Sequence, residues 1–292
     1  MSDASILNLP FEVNPKRINA TIGAIAFLLP VSLFLLASLS PTTCAMYSIS
    51  HFYYTRIGGD ILVGALAVVG AVMVLFYVYK GDDAPGNEAH NRRNALLAKA
   101  AGLFGLGVAF IPTGGVGCDY PASEGFDVSR FFVLNTVIDG EGVVGGEKSF
   151  DFWLSFGHWS APEEVPFLLA HAHYISAAGM FAILAYFSLR VFTRVQTPAA
   201  TRSHTLVGEK TSAKRTRNAI YTGMGWLMLL AMGALAVKMG VANWTEGGAA
   251  FEARWNAARL TFWCEAVALM AFGVSWAVKG RIFGLLEDQA PS

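Results

Sequence analysis

The side chains most able to do chemistry in this chain are a few ionisable groups set in apolar surroundings. Asp60 begins one apolar stretch, while His173 and Glu265 lie roughly one to two turns into two others. Placing an ionisable group in hydrocarbon costs free energy, so a functional role is the first hypothesis for such a residue. The sequence therefore predicts one outward-facing polar pocket, formed by Ser48, His51, Asp60, His173, Ser176 and Glu265.

Three kinds of chemistry fit these residues. Imidazole and carboxylate groups suit zinc, so His51, Asp60 and His173 are candidate metal ligands, with zinc as the candidate cofactor. A zinc ion there could generate hydroxide for hydrolysis. Alternatively, Asp60, His173 and Glu265 could relay protons or bind a cation. The plain structural alternative is that Asp60 caps its own helix and that His173 pairs with Glu265.

Helical spacing indicates which histidine of the nearby pair points inward. His171 and His173 are two positions apart, or roughly 200° around a helix, so they cannot share one site. His173 shares its face with Ser176 and Ala177, and small residues favour close helix packing. We expect His173 to face the interior of the bundle.

The same reasoning predicts an inward face for Asp60. Gly64, Ala67 and Ala71 follow it at helical spacing, and a stripe of small residues permits close approach of a neighbouring helix. We therefore expect Asp60 to point into the bundle.

Composition places these residues in a membrane protein. Charged residues make up 14% of the 292 residues, against about 25% in soluble domains. Hydrophobic residues make up 54%, which excludes intrinsic disorder. The formal net charge is zero, which argues against nucleic acid as a partner. Three cysteines are too few for a disulfide scaffold.

The predicted fold is an all-α, polytopic bundle of six transmembrane helices in a single integral membrane domain, 1–292. A span needs about 20 mostly apolar residues, and glycine makes the third stretch the weakest of the six. The predicted spans are about 18–39, 60–79, 95–111, 165–192, 220–241 and 258–278.

Basic residues predict the orientation. If the N-terminus is cytoplasmic, 15 of the 21 Lys and Arg residues fall on the inner side. That bias follows the positive-inside rule, and an even number of spans then makes the C-terminus cytoplasmic too. We expect a multi-pass protein of a cell inner membrane, with membrane lipids as partners.

A long acidic loop, 112–164, separates the third and fourth predicted spans. It holds nine acidic and two basic residues, which suggests either a cation-attracting external surface or a solvated loop. The apolar run 131–134 and the turn-like GEGVVGGEKS that follows indicate a strand or hairpin. The loop is the candidate docking segment for a protein subunit. Cys44 and Cys118 both fall outside the predicted spans and are a candidate disulfide.

Four segments resemble an uncharacterised group of bacterial integral membrane proteins. The resemblance implies a bacterial inner-membrane protein with this order of helices, and it implies no reaction. It places Asp60, His173 and Glu265 inside shared motifs. The segments are YSISHFYYTRIGGDILVGAL at 47–66, GLFGLGVAFIPT at 102–113, HYISAAGMFAILAYFSL at 173–189 and FWCEAVALMAFGVSWAVKG at 262–280.

A more distant resemblance is to the transmembrane hydrolases that include alkaline ceramidases and adiponectin-type receptors. Ser48, His51 and Asp60 are similar to the Ser, His and Asp of that superfamily, and the resemblance implies a zinc site. The chain departs from the pattern in its late pair, which is His-x-His rather than His-x-x-x-His, and in having six rather than seven predicted spans.

The leading functional expectation is a ligand-, lipid- or subunit-binding helical bundle with the outward-facing polar pocket. The alternatives are a metal-dependent intramembrane hydrolase that uses His51, Asp60 and His173, and a proton- or cation-coupled transporter that uses Asp60, His173 and Glu265.

Overall fold

The structure is a computed structural model of the whole chain. The residues that it describes are 14–40, 43, 45–77, 87–111, 113, 132–139, 142–154, 157–160, 168, 171–195, 200–203 and 208–286.

Helices dominate the described residues, as composition predicts. A 3₁₀ helix, Ser50–Tyr54, lies between α1 and α2, and a π-helical turn, Phe187–Val191, continues α4. The α-helices are α1 Pro15–Leu39, α2 Arg56–Leu75, α3 Glu88–Phe110, α4 Ala172–Tyr186, α5 Ser212–Trp244, α6 Gly248–Ala257 and α7 Leu260–Lys279.

Five helices in the described part of the chain are long and apolar enough to cross a membrane, as in a multi-pass membrane protein. The predicted span 95–111 corresponds to α3, which has 23 residues but is not one of the five. Its first half carries Glu88, Arg92, Arg93 and Lys99, and these charges lower its hydropathy. The five are Pro15–Leu39, Ile57–Leu75, Ala172–Val191, Ser212–Trp244 and Leu260–Lys279.

Helix α5 begins earlier than its apolar stretch, at Ser212 rather than near 220, because polar contacts support its first turns. The Thr211 side chain accepts a hydrogen bond from the Lys214 backbone N–H at 3.1 Å and caps the helix. The Lys214 ammonium donates to the Phe192 carbonyl at 2.8 Å. These bonds extend the helix beyond its apolar part.

The last two helices are separate elements. Arg259 lies between α6 and α7 with a left-handed backbone, φ 51°. A non-glycine residue in that region is uncommon and marks a turn. The last span therefore begins at Leu260, two residues after the predicted 258.

The segment between α3 and α4 contains a three-stranded antiparallel sheet. Its strands are β1 Phe132–Asp139, β2 Gly142–Leu154 and β3 Gly157–Ser160, in the order β1-β2-β3. Phe132 pairs with Phe152, and the register shifts between Thr136 and Ile138. The strand or hairpin expected in this segment is therefore present.

Six helices form a closed ring. Helix α1 packs on α7 and α2, α3 packs between α2 and α4, and α5 packs on both α4 and α7. Apolar side chains fill the ring, among them Leu29, Leu66, Leu184 and Phe272, all buried. Neighbouring helices of the ring run in opposite directions. Each end of the bundle therefore gathers the beginnings of some helices and the ends of the others.

Candidate functional site

A carboxylate on α7 holds the connection between α1 and α2. Glu265 is partly buried, and its oxygens accept from the Ser48 hydroxyl at 2.7 and 2.9 Å and from the Ile49 backbone N–H at 2.5 Å. Ser48 is only 4% exposed. Because one side chain bonds two consecutive residues of this connection, Glu265 is well placed to fix it against α7.

A histidine on α4 holds the same connection from the other side. His173 is 4% exposed. Its Nδ1 lies 2.7 Å from the Ile111 carbonyl oxygen, and its Nε2 lies 2.9 Å from the Ser50 hydroxyl. A carbonyl oxygen only accepts, so Nδ1 is the donor. In the neutral ring, Nε2 then accepts from the Ser50 hydroxyl.

The two halves are joined through the serines. The Ser50 backbone N–H donates to the Ser48 hydroxyl at 3.1 Å, and Ser48 in turn donates to Glu265. A continuous set of hydrogen bonds therefore runs from α4 to α7. We call Ser48, Ile49, Ser50, His173 and Glu265 the His173–Glu265 cluster.

Two tyrosines tie the end of α3 to this cluster's neighbourhood. The Tyr54 hydroxyl donates to the Thr113 carbonyl at 2.5 Å, and the Thr113 and Tyr174 hydroxyls lie 2.8 Å apart. With the His173–Ile111 bond, these contacts fasten the chain where it leaves α3. Four elements of the fold therefore converge at one end of the bundle.

The structure brings together Ser48, His173 and Glu265 from the predicted pocket. His51 is the residue after Ser50 in the 3₁₀ helix, and it is half-buried. Ser176 is buried one turn further along α4, against Gly107 of α3. The preference for His173 over His171 as the inward-facing histidine is consistent with its burial.

The face of α2 that carries Asp60 differs from the expectation. Asp60 and Gly64 are exposed, and a Cβ added at Gly64 would meet nothing within 4 Å. The interior is filled instead by Leu62, Leu66 and Met73 from the opposite side of the helix. Small residues permit a close contact without requiring one, whereas large aliphatic side chains gain free energy by burial. Asp60 therefore does not point into the bundle.

The proposed zinc ligands do not converge in the described residues. Among these residues, no group of three or more His, Cys, Asp or Glu side chains could hold a metal ion. Both ring nitrogens of His173 have hydrogen-bond partners in Ile111 and Ser50, and Asp60 is exposed. The geometry does not favour a shared ion on His51, Asp60 and His173, and zinc stays a prediction. The candidate disulfide Cys44–Cys118 lies outside the described residues.

Sequence reasoning missed the partners that have no chemical signature. Ile111 and Thr113 contribute backbone carbonyl oxygens, which every residue has. Tyr174 was detectable as a hydroxyl-bearing neighbour of His173. Ser50 was visible beside Ser48, and only the fold shows that it bridges to the histidine.

Two cavities lie away from the cluster. The first is a small central cavity between α1, α2, α3, α4 and α7, and its lining is apolar apart from backbone atoms. The second is a lateral groove of about 270 Å³ between α1 and α2, which we call the α1–α2 groove. Its lining residues are Asn14, Arg17, Ile18, Thr21, Ile22, Ile25, Val68, Val69 and Val72.

The groove lies at the opposite end of the bundle from the cluster. It is formed by the beginning of α1 and the end of α2, whereas the cluster gathers the beginnings of α4 and α7. Neither cavity is lined by Ser48, His173 or Glu265. In the described residues, Ser48 and His173 from the predicted pocket are buried and hydrogen-bonded, and these two cavities lie elsewhere.

The described residues form a helical bundle with membrane-compatible helices, a hydrogen-bonded polar cluster at one end and an open groove at the other. No family model, curated protein or solved structure matches the chain. Its function must therefore be argued from these two features.

Proposed function

We propose that the chain is a six-span protein of a bacterial inner membrane, with α3 as the sixth span and both termini cytoplasmic. The closed ring supports this, because α3 packs between two helices that are themselves apolar enough to span. Its 23 residues give a length of roughly 34 Å, enough for a hydrocarbon core of about 30 Å. The bias of basic residues supports the orientation.

We propose further that the protein is a lipid-binding helical bundle. The observation that carries this proposal is the α1–α2 groove, which opens sideways on the bundle where lipid would lie. Its polar residues, Asn14, Arg17 and Thr21, belong to the beginning of α1, and the rest of the lining is isoleucine and valine. A groove with polar residues at one helix end and otherwise aliphatic walls is complementary to an amphiphilic molecule such as a lipid.

The dimensions of the groove fit part of one lipid. From Asn14 to Ile25 the helix rises roughly 16 Å, about half of a 30 Å hydrocarbon core and so one leaflet. The volume of about 270 Å³ is near the lower limit of small-molecule pockets, which is about 300 Å³. One acyl chain with its polar end fits this space better than a complete diacyl lipid.

The deep end of the groove meets the central cavity. Ile25 and Val69 line both spaces. The end of an acyl chain in the groove would therefore lie against the apolar centre of the ring. The His173–Glu265 cluster closes the other end and holds the helices that surround this centre.

Filling the groove tests the proposal. Val68 lines the groove and is 49% exposed, so Val68→Trp would occupy it without disturbing the core. Val237→Trp on α5 is the matched control, because Val237 is 62% exposed and lies outside the groove. Lipid retained by the detergent-purified full chain is counted by native mass spectrometry. We expect Val68→Trp to lose one bound lipid and Val237→Trp to retain it; equal retention in both variants would contradict the proposal.

Proton transfer is a second candidate function, and the His173–Glu265 cluster favours it. The Ser50 hydroxyl contacts His173 Nε2 at 2.9 Å, and the hydrogen bonds continue through Ser48 to Glu265. The serines are joined by the Ser50 backbone N–H, so a proton could pass between the two titratable groups only if the Ser50 hydroxyl turned from His173 towards Ser48 or Glu265. The apolar lining of the central cavity offers no polar continuation towards the other end, which is why we place lipid binding first.

Proton flux into liposomes that contain the full chain and a pH-sensitive dye tests this second candidate. Ser50→Ala removes the hydroxyl at His173 and leaves Glu265 and Ser48 in place, while Ser38→Ala is a control on an exposed hydroxyl of α1. Flux that exceeds empty liposomes and falls only in Ser50→Ala would support proton transfer. Flux equal to empty liposomes would exclude it under these conditions.

A further inference from the structure

We propose that the ligand of the α1–α2 groove is an anionic phospholipid of the cytoplasmic leaflet, with its phosphate on Arg17. This inference rests on the proposed lipid-binding function and names the class of lipid. It follows from the charge at the mouth of the groove and from the order of polar and apolar residues along it.

Arg17 places a positive charge at the mouth of the groove. Its side chain is exposed and lines the groove. Within the described residues no carboxylate pairs with it, and no acidic residue lines the groove. A guanidinium group presents several N–H donors in a plane that matches phosphate oxygens. The mouth of the groove is therefore complementary to a phosphate.

The neighbouring polar groups suit the glycerol and ester region of a phospholipid. The Asn14 side-chain oxygen already accepts from the Lys16 and Arg17 backbone N–H groups, at 2.9 and 3.4 Å, so its amide N–H groups are the part left to donate. Thr21 adds a hydroxyl one turn beyond Arg17. Ester and glycerol oxygens accept such bonds.

Among the described residues the lining holds no acidic group, and this favours one headgroup over another. A choline headgroup would bring a quaternary ammonium close to the Arg17 guanidinium, and neither the groove's amide nor its hydroxyl offers a negative charge to it. A glycerol headgroup carries no positive charge and leaves the phosphate as the net anion. The groove therefore favours phosphatidylglycerol over phosphatidylcholine.

The aliphatic part of the groove distinguishes a lipid from a free phosphate. Besides its three polar residues, the groove is lined by six aliphatic residues: Ile18, Ile22, Ile25, Val68, Val69 and Val72. These residues contribute nothing to the binding of inorganic phosphate. They contribute to binding only if an acyl chain enters, because burial of apolar surface is their source of free energy.

The test compares phosphatidylglycerol with phosphatidylcholine of identical acyl chains, each added to the detergent-purified full chain and counted by native mass spectrometry. Arg17→Gln is compared with Lys16→Gln, an exposed neighbour that does not line the groove. A charge-assisted contact at a surface changes binding by about five- to tenfold. We expect the unaltered chain and Lys16→Gln to prefer phosphatidylglycerol by that factor, and Arg17→Gln to lose the preference.

The outcomes separate this inference from the proposed function. If Val68→Trp reduces both lipids but neither lipid is preferred, the lipid site stands and the anionic headgroup is wrong. If Val68→Trp changes neither lipid, the lipid-binding function itself is wrong. If soluble glycerol phosphate competes as well as phosphatidylglycerol, the site takes a phosphate and not a lipid. If lipid binds only after deletion of residues 2–13, the preceding segment of this chain is the occupant, and the proposal is overturned.

Discussion

The contact between α1 and α7 allows a prediction of how one substitution changes the free energy of unfolding. A Cβ added at Gly23 would lie 2.5 Å from the Ala277 backbone nitrogen and 2.7 Å from the Gly273 carbonyl oxygen. The contact is reciprocal, since a Cβ at Gly273 would lie 2.7 Å from the Gly23 carbonyl oxygen. Backbone atoms cannot rotate away as a side chain can, so Gly23→Ala must push the two helices apart.

The expected magnitude follows from that displacement. Carbon atoms make optimal contact at about 3.5–4.0 Å, so the helices must separate by roughly 1 Å. Overpacking of this kind costs about 1–3 kcal/mol, and alanine returns about 0.8–1.0 kcal/mol through its higher helix propensity. We expect Gly23→Ala to lower the free energy of unfolding by about 0–2 kcal/mol.

Gly64 provides the matched control for the same substitution. It lies in α2, and a Cβ there would meet nothing within 4 Å. Only the helix propensity changes, so Gly64→Ala should raise the free energy of unfolding by about 0.5–1 kcal/mol. The two glycine-to-alanine substitutions should therefore differ in their effect on the free energy of unfolding.

The assay is reversible unfolding of the full chain in mixed micelles with increasing dodecyl sulfate, followed by the loss of helical circular dichroism. Gly23→Ala should unfold at a lower fraction of dodecyl sulfate than the unaltered chain, and Gly64→Ala at a higher one. A Gly23→Ala variant as stable as Gly64→Ala would refute the close backbone contact and the placement of α1 against α7.

Three further substitutions can be measured in the same unfolding assay. Ser48→Ala removes a hydroxyl donor to Glu265 and should cost about 1.5–3 kcal/mol. An effect below about 0.5 kcal/mol is within the scatter among surface substitutions. Such a result would show that the cluster does not hold the α1–α2 connection in place. Asp60→Asn should change stability by no more than about 1 kcal/mol, because the ion pairs of an exposed carboxylate are weak, and a larger loss would place Asp60 back inside the bundle. Tyr54→Phe removes the bond to the Thr113 carbonyl and should cost about 0.5–1.5 kcal/mol, whereas no loss would leave the end of α3 held by His173 and Tyr174.

Hydrophobic stretches located the helices well, because a run of apolar residues needs no partner to be recognised. The first span was expected at 18–39 and α1 is Pro15–Leu39. The ends were less accurate where polar side chains make specific contacts. Lys214 illustrates this, because its bond to the Phe192 carbonyl extends α5 beyond the apolar run.

The sequence indicates which residues belong to the candidate site, but it does not indicate which of them contact one another. Ser48, His173 and Glu265 stand out in the sequence as polar residues in apolar surroundings. Their connection is a property of the fold, since Ser48 and Glu265 are separated by 217 positions. The prediction that Asp60 faces the interior was wrong, because the small residues on its face permit a neighbouring helix to pack there but do not favour it.

The sequence by itself determined the class of protein, the helices and the residues whose burial would be costly, because hydropathy and charge are local quantities. Only the tertiary structure decided which helices touch, which glycines are in contact and where space remains. Gly23 and Gly64 are the same residue type in similar apolar helices, yet one meets backbone atoms and the other meets nothing. The α1–α2 groove is likewise absent from any single segment, because a cavity exists only between surfaces that packing has placed side by side.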